Sequence, residues 1–218
     1  PDGAVWIGTR ENGLMRWEEG VTQTIGGLGR GRMLAIADGP GGGILAATDT
    51  SLLWADQRGV QDIRFQKKLL FNRNASLLSL GSGGTLVSTG SGVYRVERKG
   101  GQWVESLLIP EANVRSMTLD ENGAVWMVGL RAGLKVFRDG AMIEAVKPAE
   151  IPDSNFYTLR LDGEDIVWIG SSSGMYAHSR RDGKLLSKRS VAPRDYVFHI
   201  EREDAGYLWL ATRAGIVM

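Results

Sequence analysis

The 218-residue chain contains no cysteine, which excludes a disulfide framework, a thiolate metal site and a cysteine nucleophile, and leaves reducing and oxidising compartments equally open. Histidine is nearly absent too. With only His178 and His199, acid–base chemistry has little to draw on. Charge of one sign is also missing: 26 basic residues face 25 acidic ones, so no global field favours nucleic acid or an anionic membrane surface. No run approaches the roughly 20 apolar residues that a membrane-spanning helix needs. An apolar pattern of period 3.6 never persists over the ~10–12 residues that mark a helix. The single Gly-x-Ser-x-Gly match, Gly170 to Gly174, joins two strand-like runs with no helix after it and so is no nucleophile elbow; with no phosphate-binding loop or metal-ligand pair either, no catalytic residue, metal or cofactor is expected. Gly39 to Gly43 is glycine-rich, but it joins two strand-like runs and no helix follows to supply a dipole for phosphate, so it reads as a flexible turn.

What is present is repetition. Trp6, Leu45, Leu86, Trp126, Trp168 and Trp209 recur at intervals of 39, 41, 40, 42 and 41 residues. Each opens a similar word: Trp6-Ile7-Gly8-Thr9, Leu45-Ala46-Ala47-Thr48, Leu86-Val87-Ser88-Thr89, Trp126-Met127-Val128-Gly129, Trp168-Ile169-Gly170-Ser171 and Trp209-Leu210-Ala211-Thr212. The small residues after the large one read as allowing close approach of neighbouring units. A glycine opens the following strand in five copies, at Gly13, Gly92, Gly133, Gly174 and Gly215, and Ser51 stands there in the second.

Ahead of each word lies an apolar run: Met33 to Ile36, Leu77 to Leu80, Val114 to Leu119, Phe156 to Leu161 and Tyr196 to Ile200. Behind it, after a turn, comes a weaker one: Val21 to Ile25, Ile63 to Gln66, Trp103 to Leu108, Ala141 to Val146 and Leu185 to Arg189. Val146 to Pro152 carries two prolines and reads as a loop.

Four short strands per unit of about 41 residues are the sequence signature of a β-propeller, in which four-stranded antiparallel blades stack around an axis. With strands labelled A to D from the inside out, the chain reads as B, C and D of one blade, four complete blades, and A, B and C of a last one. Residues 1–218 are therefore expected to form a single β-propeller domain or propeller fragment, five to six blades being represented, as part of a larger propeller of seven or more. The start at Pro1-Asp2-Gly3, in mid-repeat and without an initiator Met or signal peptide, reads as a piece excised or processed from a longer protein. Open blade edges would also offer a route to self-association.

The words Asp-x-x-Gly-x-x-Trp-Ile-Gly-Thr-x-x-Gly-Leu resemble the two-component regulator propeller repeat. The resemblance rests on Asp2-Gly3 with Trp6 to Leu14, on Asp120 to Leu134, on Asp162 with Val167 to Met175, and on Asp204-Ala205-Gly206 with Leu208 to Ile216. Copies two and three depart from it at Leu45 and Leu86. The resemblance implies the ligand-sensing input domain of a bacterial hybrid histidine kinase or related signalling receptor. It also implies a periplasmic position ahead of stalk, membrane and output domains, and an oligosaccharide or other small ligand bound without turnover.

Strand order places the B–C turns and D–A connections on one rim. Arg10, Arg131 and Arg213 fall in B–C turns; Arg30, Asn74, Asn113, Asn155 and Arg194 fall in D–A connections. Guanidinium forks and amides suit carboxylates, sulfates and hydroxyls, so these eight form the candidate ligand-binding set, although surface loops carry such residues for solvation alone. The opposite rim carries acids, among them Asp120, Glu121, Asp162, Glu203 and Asp204, partly balanced by Arg98, Lys99, Arg180 and Arg181. Asp162-Gly163-Glu164-Asp165 lacks the alternate-position spacing of a helix–loop–helix calcium loop and reads as turn chemistry. Two alternatives stay open: a propeller lyase or hydrolase using His199 with Glu201 and Tyr196 as its base, and a protein-interaction scaffold.

Overall fold

A computed structural model describes all residues except 1–2, 26–31, 57, 66–70, 72–74, 111–112, 132, 147–154, 164, 182–184 and 190–194. The chain divides into two compact units, Pro1–Asn113 and Val114–Met218. Arg30, Asn74, Arg194 and most of the proline-bearing loop lie outside the described residues.

In the first unit, β1 (Val5–Gly8), β2 (Leu14–Glu18) and β3 (Val21–Thr24) form a three-stranded antiparallel sheet. Then β4 (Met33–Asp38), β5 (Ile44–Thr48), β6 (Leu52–Asp56) and β7 (Gly59–Ile63) form a four-stranded one, as do β8 (Leu77–Ser79), β9 (Thr85–Thr89), β10 (Gly92–Lys99) and β11 (Gln102–Ile109). The second unit adds β12 (Val114–Leu119), β13 (Val125–Gly129), β14 (Gly133–Arg138) and β15 (Ala141–Val146), and then β16 (Phe156–Asp162), β17 (Ile166–Ser171), β18 (Gly174–Ser179) and β19 (Leu185–Arg189). It ends with the three-stranded β20 (Val197–Arg202), β21 (Leu208–Thr212) and β22 (Gly215–Val217). Every strand pairs with its sequence neighbours, so each sheet is an up-and-down meander. The repeated words are β1, β5, β9, β13, β17 and β21, each second or first in its sheet as the A-to-D pattern requires.

One strand lies earlier than the sequence suggests. The last strand of the second copy is β7, ending at Ile63 rather than starting there. Asp56 is the cause: its Oδ1 accepts the backbone N–H groups of Arg58 at 2.7 Å and Gly59 at 3.2 Å, turning the chain directly after β6.

Within each unit the first strands of successive sheets lie against one another: β1 on β4 and β4 on β8 in the first, β12 on β16 and β16 on β20 in the second. Sheet faces bury apolar layers between them. The largest in the second unit joins Ala124, Trp126, Val128 and Val136 to Phe156, Leu159, Val167, Ile169 and Tyr176. The first unit has its counterpart in Leu45, Ala47, Leu52, Ile63, Val87 and Val96. Full burial of such side chains is worth about 1.5–3 kcal/mol each, which makes sheet stacking the main stabilising term.

The small residues of the repeated words do two jobs. Gly170 permits close approach, as expected: a Cβ there would stand 2.6 Å from Thr158 Cγ2 and 2.7 Å from the Val197 carbonyl. The fourth residue of the word does something the sequence reading missed, because its hydroxyl staples the next turn. Thr9, Thr89, Ser171 and Thr212 donate to the carbonyls of Gly13, Gly92, Gly174 and Gly215 at 2.8–2.9 Å. The fourth copy has Gly129 instead, and its turn carries Arg131 at φ 57°.

The pairing of the first strands is interrupted in four sheets. Met33 pairs with Thr48 and Ala35 with Ala47; Val114 with Gly129 and Ser116 with Val128; Phe156 with Ser171 and Thr158 with Gly170; Val197 with Thr212 and His199 with Ala211. One residue is passed over each time, forming a β-bulge at the same register position.

Candidate functional site

The ends of the sheets that carry the turns between second and third strands are tied to the starts of the next first strands. In the first unit the Met33 N–H donates to the Thr9 carbonyl at 3.0 Å. In the second, Leu130 forms an isolated antiparallel bridge with Asn155, the Ser172 N–H donates to the Asn155 carbonyl at 3.1 Å, and the Arg213 N–H donates to the Tyr196 carbonyl at 3.2 Å. Arg131 is thereby held beside Asn155, and Arg213 beside Tyr196. Arg10 and Asn113 belong to the first unit, both exposed, and Asn113 takes a left-handed φ of 63° that asparagine tolerates. Arg10, Arg131 and Arg213 are all exposed, and none forms an ion pair among the described residues.

At this same end of the second unit lies a cluster that the sequence reading did not single out. Tyr157 and Tyr196 stand 5.8 Å apart between ring centroids, Tyr157 and Phe198 5.4 Å at an interplanar angle of 63°, and Tyr196 and Phe198 5.9 Å at 27°. Two guanidinium groups flank the rings: Arg115 Cζ lies 4.7 Å from the Tyr157 centroid and Arg213 Cζ 5.9 Å from that of Tyr196. Aromatic pairs at such separations contribute about 0.5–1.5 kcal/mol and cations over rings about 0.5–1 kcal/mol, so the side chains hold one another in place. Phe198 keeps 46% of its surface exposed. A signal was available in the sequence: Phe156-Tyr157 sets two large rings side by side, and simple alternation can bury only one.

The opposite end of the sheets is held by a different device. Trp126 Nε1 donates to Asp120 Oδ2 at 3.0 Å, Trp168 Nε1 to Asp162 Oδ2 at 2.9 Å, and Trp209 Nε1 to Glu203 Oε2 at 3.0 Å. The acid stands six residues before the tryptophan in all three. In the last copy this is Glu203, correcting the sequence alignment on Asp204, because the Glu203 N–H and carbonyl close the turn with Tyr207 and Gly206. Copies two and three lack both partners together. The closing positions are there Gly39 and Leu80, opposite Leu45 and Leu86, and the turns are short 3-10 segments, Pro40–Gly42 and Gly81–Gly83. A different N–H donor ties each: Trp54 Nε1 reaches the Pro40 carbonyl at 3.2 Å and Arg95 Nε the Gly83 carbonyl at 2.8 Å. The glycine-rich stretch is thus a pinned turn, not a flexible one.

Arginines join these acids across sheets. Arg180 contacts Asp120 at 3.6 Å and Glu121 at 3.0 Å and lies over the Trp126 ring at 5.5 Å, while Arg202 reaches Asp162 at 2.9 Å. Burial pushes the Asp120 carboxyl up, but the Trp126 indole, the N–H groups of Ala124 and Asn122 and the Arg138 guanidinium outweigh it and hold the group below the usual aspartate range. Glu121 is likewise lowered, by its own backbone N–H and by Arg180. No group of His, Asp and Glu fit to hold a metal occurs among the described residues.

His199, the one candidate base, has 66% of its side chain exposed and stands 3.8 Å from Glu201, whose carboxylate is already held by both Arg160 terminal nitrogens at 2.8–3.0 Å. The imidazole is therefore largely open to solvent. His178 is fully buried on β18.

No family model and no curated relative matches the chain. Among solved structures it is similar to the extracellular domain attributed to the hybrid two component system BT4673 of B. thetaiotaomicron, at 17% identity and a TM-score of 0.78, covering 99% of this chain and 30% of that one. It is also similar to PorZ, a surface component of the type-IX secretion system of Porphyromonas gingivalis (17% identity, TM-score 0.74, 98% of this chain and 36% of that one). A third is a catalytically inactive virginiamycin B lyase from Staphylococcus aureus with quinupristin (16% identity, TM-score 0.78, 99% of this chain and 75% of that one). The likeness is one of fold: all-β and propeller-like. The chain spans about a third of the length of the first two.

Proposed function

We propose that this chain is part of a ligand-sensing β-propeller, the extracytoplasmic input region of a two-component or related signalling receptor, which binds a glycan or other small ligand without turning it over. In this reading the six sheets are blades of a propeller that is completed in a longer protein, with stalk, membrane and output domains beyond it. The observation that carries it is the cluster of Tyr157, Tyr196 and Phe198 flanked by Arg115 and Arg213 at the turn-bearing end of the second unit. Aromatic faces stack on the apolar faces of sugar rings, and guanidinium groups take their hydroxyls and acids. The resemblance of the repeats and the fold shared with extracellular domains of two-component systems support the same reading. Screening the protein on a glycan array and then analysing bound candidates by mass spectrometry tests it. Binding with the ligand recovered intact is expected; conversion to product would overturn it.

The fold shared with virginiamycin B lyase favours a second reading, a propeller lyase with His199 as base. Incubation with quinupristin separates the two: product formed by the native protein and lost in His199→Ala would establish the lyase.

A further inference from the structure

The bulges at the start of the first strands have a chemical use. A regular strand would aim the residue after a buried anchor into the opposite face of its own sheet. Here Val114, Phe156 and Val197 are the anchors, all essentially buried, and the residue that follows each is the one passed over in the ladder. That residue is Arg115, Tyr157 or Phe198. β12, β16 and β20 are edge strands of their sheets and lie against one another, so the three re-aimed side chains stand in a row. Arg115 lies on Tyr157 at 4.7 Å, and Tyr157 meets Phe198 at 5.4 Å. Tyr196 and Arg213, joined by the hydrogen bond from the Arg213 N–H, close the far side.

Among the described residues no carboxylate compensates the charge in this row. Arg16, Arg95, Arg138, Arg160, Arg180, Arg181 and Arg202 each meet a carboxylate. Arg115 and Arg213 meet none among the described residues, and the Nε and Nη1 atoms of Arg115 are shut from solvent without a hydrogen bond. A guanidinium charge without a partner is unfavourable in a dry setting, and with Nε and Nη1 closed off only Nη2 is left for an anion to approach. Beside it lies a half-exposed apolar ring shelf, which is unfavourable in water unless a flat face covers it. The two deficits are complementary parts of one ligand.

We propose that the bulge row binds a ring-bearing carboxylate, its flat face stacked on Phe198 and Tyr196 and its carboxylate paired with Arg115 and Arg213. This deepens the sensing reading and rests on it. Two sources share the chemistry: a saccharide with a uronate ring, and a free aromatic acid. A carboxylate meets Arg115 at Nη2 alone and finds the two-pronged fork on the exposed Arg213, and the rings select against compact inorganic anions that have no face to stack.

The test is isothermal titration calorimetry on the full chain with a galacturonate trisaccharide, its methyl ester and 4-hydroxybenzoate. At least one of the two acids binds, and the ester binds at least tenfold more weakly than the trisaccharide if the saccharide is the source. Arg115→Met and Phe198→Ala each weaken the acid at least tenfold, Arg115→Lys less, and Arg181→Met, at the opposite end of the second unit's sheets, leaves binding unchanged. Near-ultraviolet circular dichroism and the melting temperature verify that each variant is folded. Binding of the trisaccharide alone identifies a uronate, and binding of 4-hydroxybenzoate alone an aromatic acid. Undiminished affinity in folded Arg115→Met and Phe198→Ala overturns the bulge row while leaving the sensing reading intact, as does binding of neither acid when the glycan array finds another ligand. Binding of nothing in either assay overturns both.

Discussion

The indole N–H of Trp126 donates at 3.0 Å to Oδ2 of Asp120, six places earlier in the chain, and both partners are buried. The pair closes a turn and anchors a core ring with the same bond.

Because the acid and the indole satisfy each other, their contributions should be strongly coupled. Asp120→Ala strands the buried Trp126 indole N–H, and Trp126→Leu removes one donor from the buried carboxylate and leaves a cavity, each costing about 2–4 kcal/mol. The double variant, which imitates the apolar arrangement at Leu45 and Leu86, should cost less than the sum by about 1–2 kcal/mol. Urea unfolding of the four-member cycle measures this; strict additivity would contradict the pairing.

The pH dependence follows from the same carboxyl. The folded-state pKa of Asp120 lies below its unfolded value of about 3.9, so between the two the native state holds fewer protons than the unfolded one. Its stabilisation is therefore complete above about pH 5 and is lost as pH falls through the lowered folded pKa. Glu121 and Glu97 are lowered too and act in the same direction, though Glu121 is exposed, Glu97 only partly covered, and salt screens both. Urea midpoints measured from pH 7 to pH 3 should fall less in Asp120→Asn than in the native protein.

Arg131 holds a left-handed φ of 57° in the one turn whose word ends in glycine instead of a hydroxyl residue. Such a backbone costs a non-glycine residue about 1 kcal/mol. Arg131→Gly should therefore stabilise the protein by about 0.5–1 kcal/mol in thermal melts while weakening any anionic ligand that reaches the Asn155 side of the site. A melting temperature that falls would mean the side chain has a structural partner that outweighs the strain.

Gly170→Ala tests sheet stacking directly. Its added methyl would meet Thr158 Cγ2 at 2.6 Å and the Val197 carbonyl at 2.7 Å, and the carbonyl belongs to backbone that cannot swing aside. A loss of about 2–3 kcal/mol is expected from overpacking. Gly13→Ala, at φ 71° with nothing near its Cβ, should lose only the smaller conformational term of about 1 kcal/mol.

The period and most strands were legible because they are written locally, in turn residues and short β-branched or aromatic words. The second strand words keep their register even where Leu45 and Leu86 replace tryptophan. β7 was misplaced because Val60 to Ile63 reads as polar and the Asp56 turn outweighs that pattern. Glu203 was missed in favour of Asp204 because glutamate is a weaker turn signal, yet its carboxylate reaches the Trp209 indole. The doublet Phe156-Tyr157 hints at one re-aimed ring, but the bulges themselves are harder to read: a bulge is a mismatch between two strands, and neither strand alone records it. Arg213 entered the candidate set from its turn, whereas Arg115, Tyr157 and Phe198 sat unnoticed inside apolar runs.

In the second unit a bulged residue gives its side chain no ladder partner to match, and none of the three takes a place in the apolar layers described there. Arg115, Tyr157 and Phe198 differ in charge, size and polarity at one register position, while the anchors beside them stay buried and apolar. Recognition and folding are thereby written in separate letters of the same strand. Such a scaffold can exchange what it reads, one sheet at a time, without renegotiating how it stands.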